Sequence, residues 1–415
     1  MDRLKRLNTG FRKLGIGVLI LFLVLSLSLA HPLPKAKPEK VGMSSARLNR
    51  VKAIIQEAIE RKDFPGAVLL VGRKGKIVFH QSFGNSQLIP ASQPMSTSMI
   101  FDLASITKPV ATATSIMILV EQGKIRLWDK VKDFIPEFKP YVSDVGQVPE
   151  EINEPQDARL WHLLTHTSGL PPYTDAEEVA QRFGDPLSTE TLVDHIAQLE
   201  KSGPPGEAFH YSCLGFISLA SIIKKVTGQT VAEFAAENIF LPLKMKRTFF
   251  TPSAEFHHLC VPTEVVDGKP LLGIVHDPLA RLQEGISGNA GLFSTAGDLA
   301  IFAQMILNKG EFKGKRILSP LAVERMTSVY PEVAFAGRGL GWDLDSSFST
   351  NSGDLFGPDS FGHTGYTGTS IWIDPETETF VIFLTNRVHP DDGSSVASMR
   401  SRVANIVASS IIEKR

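Results

Sequence analysis

Apolar residues recur every three to four positions through Leu48, Val51, Ile54, Ile55 and Ile59. This spacing predicts a helix running to about Arg61, with Ser44 or Ser45 as its N-cap. The pattern then changes period. Gly66 to Gly72 and Lys76 to Phe83 read as two strands, and Arg73-Lys74-Gly75 between them makes an antiparallel hairpin. Helical spacing returns from Ser105 to about Gln122 and stops at Gly123. It recurs over Trp161 to His166, Leu192 to Leu199, Leu214 to Val226, Val231 to Ile239 and Asp298 to Leu307, with connections rich in Gly, Pro and Asp. Strand-like segments reappear late, at Gly339 to Leu344, Thr369 to Asp374 and Phe380 to Thr385, before a last helix from about Ser395 to Ile412. Strand-forming ends thus enclose a mostly helical middle, residues 124–330. The expectation is one α+β domain over residues 43–415, whose sheet uses both ends of the chain.

The first thirty residues follow a different logic. Arg3, Lys5, Arg6, Arg12 and Lys13 form a basic stretch, Ile16 to Leu29 is an apolar run, and Ser28-Leu29-Ala30 places small residues at the −3 and −1 positions of a cleavage site. This reads as a signal peptide over residues 1–30. The alternative is an uncleaved N-terminal anchor, since the run approaches membrane-spanning length. No cysteine follows it, so lipid attachment is not expected, and no later stretch is long and apolar enough to span a bilayer. The Pro- and Lys-rich residues 31–42 read as a linker. An exported protein, periplasmic or secreted, is therefore expected.

Composition narrows the function classes. The chain has 415 residues, 43% apolar and 21% charged, with a formal net charge of -1. That is ordinary globular composition with no basic surplus to suggest a nucleic-acid partner. Cys213 and Cys260 are the only cysteines. They allow at most one disulfide, and no Cys/His spacing resembles a zinc site. His162 and His166, four apart on a helix, are better read as support for a neighbouring loop than as metal ligands. His276-Asp277-Pro278 reads as a helix or loop cap. Gly-x-Ser-x-Gly elbows and phosphate-binding glycine loops are absent.

The chemistry-bearing stretch is Ser105-Ile106-Thr107-Lys108. Residues three apart on a helix share a face, so the lysine amine lies over the serine hydroxyl. If burial and neighbouring charge depress the lysine pKa, it can take the serine proton. Alone, the pattern is also that of an exposed polar pair. Two further motifs lie downstream. Tyr211-Ser212-Cys213 offers a phenol that a nearby lysine ammonium would acidify, making it a general base and later a proton donor. His363-Thr364-Gly365-Tyr366-Thr367-Gly368 enters a late strand, where the N–H of Tyr366 could pair with that of Ser105 as an oxyanion hole.

In order and spacing, the three motifs resemble the serine β-lactamase and penicillin-binding-protein superfamily, in particular its class C β-lactamase, D,D-peptidase and esterase branch. Leu163-Leu164-Thr165-His166-Thr167-Ser168-Gly169-Leu170, Gly288-Asn289-Ala290-Gly291-Leu292-Phe293-Ser294-Thr295 and Trp372-Ile373-Asp374-Pro375 extend the likeness over roughly residues 41–413. The resemblance implies an antiparallel sheet flanked by helices beside a helical subdomain, with the site in the groove between them. It implies Ser105 as acyl-accepting nucleophile, Lys108 as its activator, Tyr211 as second base and proton relay, and His363, Thr364 and Gly365 along the substrate. No metal or organic cofactor is implied, and the partner expected is a small ester, peptide or lactam substrate. Two positions depart from the branch. Cys213 stands where Asn often holds a substrate amide, and a thiol is a poor hydrogen-bonding group. His363 stands where β-lactamases carry Lys, so a permanent cation is missing; imidazole is mostly neutral at pH 7. The expected activity is hydrolysis through an acyl-enzyme, by an esterase, a D,D-peptidase or a weak β-lactamase. The rival is a catalytically weak or idle relative that binds cell-wall peptide or a partner. The oligomeric state is not legible.

Overall fold

The computed structural model describes residues 33–143 and 155–413; the expected signal peptide or anchor lies outside them. Among the described residues, no helix is long and apolar enough to cross a membrane. The main sheet takes β1 (Gly66–Arg73), β2 (Lys76–Gln87) and β3 (Gln93–Pro94) from one end of the chain. A short β4 (Phe101–Asp102), β5 (Phe249–Phe250) and β6 (Leu292–Ser294) lie in the middle, and β7 (Phe361–Thr364), β8 (Ser370–Asp374) and β9 (Thr379–Thr385) come from the other end. The sheet order is β7-β8-β9-β1-β2-β3, antiparallel throughout, with Leu70 opposite Ile382 and Val71 opposite Val381. Both ends of the chain build one sheet, and the fold is the α+β, β-lactamase/transpeptidase-like arrangement.

Strand β1 is buried at every position because both faces of the sheet are covered. Successive side chains point to opposite faces. Ala67, Leu69 and Val71 join Val51 and Ile55 of helix α1 (Val51–Glu60). Met399, Val403 and Val407, on the C-terminal helix Ala397–Ser409, complete that layer. Val68 and Leu70 face the larger core, which holds the helix Ala296–Leu307 and the long helix Cys213–Thr227. Arg73 is fully buried and fastens the first layer: its guanidinium donates to the carbonyls of Gly42, Thr377 and Glu413.

Several elements differ from their expectation. The first helix breaks at Asn49-Arg50 into Ser45–Leu48 and Val51–Glu60. The expected strand over residues 339–344 is instead a turn. Gly341 has φ +81°, Arg338 is ion-paired to Asp343 at 3.1 Å and bridges to it across the turn, and a single bridge from Asp343 to Gly362 ties the turn to β7. The mostly helical middle contributes β5 and β6 to a small sheet with β4, in the order β4-β6-β5. Residues 33–42, expected as a linker, lie along the sheet: Leu33 is buried, Lys35 bridges to Ile77, and Pro38–Val41 forms a 3-10 turn. The helix from Val231 passes into a π-turn at Ala236–Phe240.

Candidate active site

The Ser105 segment is not one regular helix. A 3-10 turn, Ala104–Ile106, leads into a π-helical stretch, Lys108–Ala113, and only then into an α-helix, Thr114–Glu121. Pro109 has no N–H to give to an α-helical ladder, which accounts for the irregular opening turn. Ala104 takes a left-handed φ of +46°, turning Ser105 out of β4 toward the groove. The expected proximity is present: Lys108 Nζ donates to Ser105 Oγ at 2.9 Å.

Lys108 is buried, and its ammonium protons have three acceptors: Ser105 Oγ, the Asn289 carbonyl at 3.0 Å and Cys213 Sγ at 3.5 Å. Burial disfavours the ammonium, but the acidic groups of Cys213 and Tyr211 outweigh it and hold Lys108 above its ordinary lysine value. This corrects the expectation of a depressed pKa. Lys108 rests as a cation, so its first role is to stabilise negative charge on neighbouring oxygens. The Asn289 carbonyl was not singled out from sequence. Its segment also grips the nucleophile turn, with the Gly288 carbonyl accepting from Thr112 Oγ1 and Leu292 N donating to Thr107 Oγ1.

Tyr211 lies beside Lys108, whose Nζ is 5.2 Å from the ring centroid. The phenol ring stacks on His166 at 4.3 Å, and His166 Nδ1 accepts the Ser212 N–H at 3.1 Å. His166 is buried and its pKa falls well below the ordinary value, through desolvation and then the positive charges of Arg338 and Lys108. It is therefore a neutral prop for the tyrosine loop. His162 turns elsewhere, stacking on Trp161 and accepting from Arg159 N at 2.8 Å. The two histidines do not converge on one point.

Cys213, at the start of its helix, is half-buried and free, as is Cys260. Desolvation raises its thiol pKa against the pull of Lys108. His363 lies on β7. Its Nδ1 is 2.8 Å from the Thr364 carbonyl, which can only accept, so Nδ1 carries the proton and Nε2 is bare. Burial, then Arg338 and Lys108, hold its pKa well below the ordinary value. His363 supplies no cation. Thr364 ends that strand, Gly365 follows it, and Tyr366 is exposed just beyond.

Ser105, Tyr211, His363, Thr364, Gly365 and Tyr366 all line one open cavity of about 500 Å³. Lys108 and Cys213 are not among the lining residues; Lys108 meets the cavity through its bond to Ser105, and Cys213 lies against Lys108. The motifs separated by more than 250 positions in sequence thus converge on one groove. Sequence reading missed the cationic wall of that groove, formed by Arg338, Arg387 and Arg400 and offset in part by Asp343 and Asp392. No spacing connects these arginines; the topology does.

A serine held by a buried cation, beside a tyrosine and facing a strand edge, defines the class of acyl-transferring serine hydrolases. The Beta-lactamase family profile matches residues 51–405, and the chain belongs to that family, within the serine β-lactamase and penicillin-binding-protein superfamily. Its relatives include an N-acetylmuramyl-L-alanine amidase of Bacillus subtilis (strain 168), 31% identical over 379 residues, 85% of this chain and 83% of the relative. A putative D-alanyl-D-alanine carboxypeptidase of Salmonella agona (strain SL483) is 30% identical over 384 residues, covering 86% of each chain. Among solved structures, the octameric penicillin-binding protein homologue from Pyrococcus abyssi has a TM-score of 0.66 at 26% identity, covering 87% of this chain and 77% of that one. EstCE1, a hydrolase with promiscuous acyltransferase activity, shares the fold with a TM-score of 0.69 at 22% identity, covering 88% and 99%.

Proposed function

We propose that this serine hydrolase works through an acyl-enzyme on Ser105, cleaving small esters or the amide bonds of D-amino-acid peptides. The observation that carries the reading is the 2.9 Å contact from Lys108 Nζ to Ser105 Oγ at the wall of the cavity that Tyr211 and His363 also line. Ser105 Oγ attacks the substrate carbonyl carbon. Its proton passes to the oxygen of Tyr211, beside the Lys108 ammonium. The carbonyl oxygen, now negative, takes hydrogen bonds from the N–H groups of Ser105 and Tyr366. Tyr211 returns the proton to the leaving alcohol or amine as the carbonyl–leaving-group bond breaks. Water, deprotonated by the same tyrosine, then releases the acyl group and restores Ser105.

Two features support a substrate with an anionic end, such as a peptide carboxylate. Arg338, Arg387 and Arg400 border the cavity, and His363 leaves the reading of charge to them. The carboxypeptidase relative is named for D-alanyl-D-alanine, a peptide with such a carboxylate, and the amidase relative for an amide at L-alanine. The basic and apolar N-terminus supports export, by a cleaved signal or a retained anchor, to where such substrates occur. The test is turnover of p-nitrophenyl acetate and of peptides ending in D-alanyl-D-alanine by the protein lacking residues 1–30. Wild-type protein hydrolyses at least one, and Ser105→Ala, equally folded, hydrolyses neither. Wild-type rates in Ser105→Ala would remove Ser105 from the chemistry.

A further inference from the structure

The two N–H groups assigned to the oxyanion hole belong to segments 261 positions apart in sequence, at Ser105 and Tyr366. Something must hold them in register, since oxyanion stabilisation depends on donors placed in advance. One side chain touches the first arm and the residue whose ring packs on the second. Asp102 is buried at the end of β4, and its two carboxylate oxygens are divided. Oδ1 accepts the Ala104 N–H at 2.8 Å; Oδ2 accepts the His276 N–H at 2.7 Å. The first bond fixes the left-handed Ala104 turn that presents Ser105, a conformation costing a non-glycine residue about 1–2 kcal/mol.

The second bond reaches the other arm. The His276 ring stacks on Tyr366, centroids 5.5 Å apart with 24° between planes. Arg387 lies 4.7 Å from the same tyrosine ring, and the Tyr366 hydroxyl donates to Asp392. Backbone contacts join the arms directly as well. The Asp102 carbonyl accepts from Thr367 Oγ1 at 2.8 Å, and the Leu103 carbonyl accepts from Thr369 Oγ1 at 3.1 Å. Gly365 packs so closely that an added Cβ would lie 2.3 Å from the Leu103 carbonyl oxygen. Residues on both sides of Tyr366 are therefore fastened to residues 102 and 103.

We infer that Asp102 is a positioning residue: its carboxylate, shared between Ala104 N and His276 N, sets the Ser105 and Tyr366 N–H groups in register. The inference rests on the acyl-enzyme reading above. His276, which the sequence suggested only as part of a cap, gains a second task in it; the capping itself is done by Asp277, which accepts from Ala280 N at 2.8 Å.

The experiment compares wild type, Asp102→Asn, Thr367→Val and Thr367→Ser for ester turnover, fluorophosphonate labelling rate and melting temperature. Asp102→Asn keeps the shape but leaves one of the two N–H groups facing an amide NH2. Its kcat and labelling rate should fall together by about 10- to 100-fold, with KM within twofold, because both reactions place an oxygen in the hole. Thr367→Val should show the same split at about tenfold, and Thr367→Ser, which keeps the hydroxyl, should stay near wild type. Folded Asp102→Asn with unchanged kcat, or with raised KM alone, overturns the inference. If Asp102→Asn does not fold, a further variant, His276→Leu, decides, because it removes the ring that links the Asp102 carboxylate to Tyr366: folded protein with unchanged kcat overturns the inference. Wild-type protein that is never labelled at Ser105 overturns the acyl-enzyme reading first, and this inference with it.

Discussion

At the scale of single residues, the site is organised around a buried charge. Lys108 has no carboxylate among its hydrogen-bond acceptors; a hydroxyl, a carbonyl and a thiol take its protons. Such a cation stays ionised because the oxygens and sulfur around it gain from its charge. Lys108→Met should therefore lower ester kcat by about 10²- to 10⁴-fold, the range for losing a positioned acid–base group. Tyr211→Phe should lose a similar factor, since the ring and its stack on His166 remain while the proton carrier is gone. Steady-state kinetics on folded variants check both. Cys213 offers a test of specificity. An Asn there puts an amide donor and acceptor beside Lys108, so Cys213→Asn should raise amide turnover relative to ester turnover. An unchanged ratio would mean that position 213 does not read the substrate.

At the scale of elements, regular secondary structure was legible and irregular turns were not. The hairpin of β1 and β2, the helices around Trp161, Leu192 and Leu214, and the two last strands follow from periodicity, since burial on one or two faces imposes a period directly. The Ser-x-x-Lys, Tyr211 and His363 motifs were also legible. What sequence left out is how non-repeating segments brace them: the Asn289 carbonyl under Lys108, the turn over residues 339–344, and the Asp102 and His276 link. These depend on backbone carbonyls and N–H groups, which every residue carries, so no residue type announces them. The expected linker is the clearest case. Its Leu33 and Val41 are isolated apolar residues among Pro and Lys, yet both are buried. Arg73 explains part of the docking, because it binds the carbonyls of Gly42 and Glu413 as well as Thr377. Arg73→Met would remove three hydrogen bonds that tie the N-terminal segment and the chain end to the sheet, at about 0.5–1.5 kcal/mol each. The melting temperature should fall by several degrees, with ester KM unchanged because Arg73 is remote from the cavity-lining residues.

At the scale of the whole molecule, joining the chain ends in one sheet places β7 beside a nucleophile turn that belongs to the other half of the sequence. The same enclosure buries His162, His166 and His363 as neutral rings, each with a folded-state pKa below its ordinary value of 6.5; His162 is down at about 3. Desolvation is the leading cause in all three. The unfolded chain binds protons at these histidines below about pH 6.5, whereas the folded chain does not. Stability is thus fully present above pH 6.5 and is lost as pH falls, by up to about 1.4 kcal/mol per pH unit for each group. For His162 the loss continues to about pH 3. Chemical denaturation between pH 8 and 4 should show a plateau above 6.5 and a steep decline below it; a flat profile would mean that these rings are protonated in the fold. Catalysis, in contrast, should show no histidine titration between pH 6 and 8. The central claim is that Ser105 forms the acyl-enzyme. Intact-mass spectrometry with peptide mapping, after exposure to a fluorophosphonate, a penicillin and an activated ester, tests it most directly. A single adduct on Ser105 is expected with at least one of them, and none in Ser105→Ala. An adduct on another residue, or no adduct on folded wild-type protein with any of the three, would contradict it.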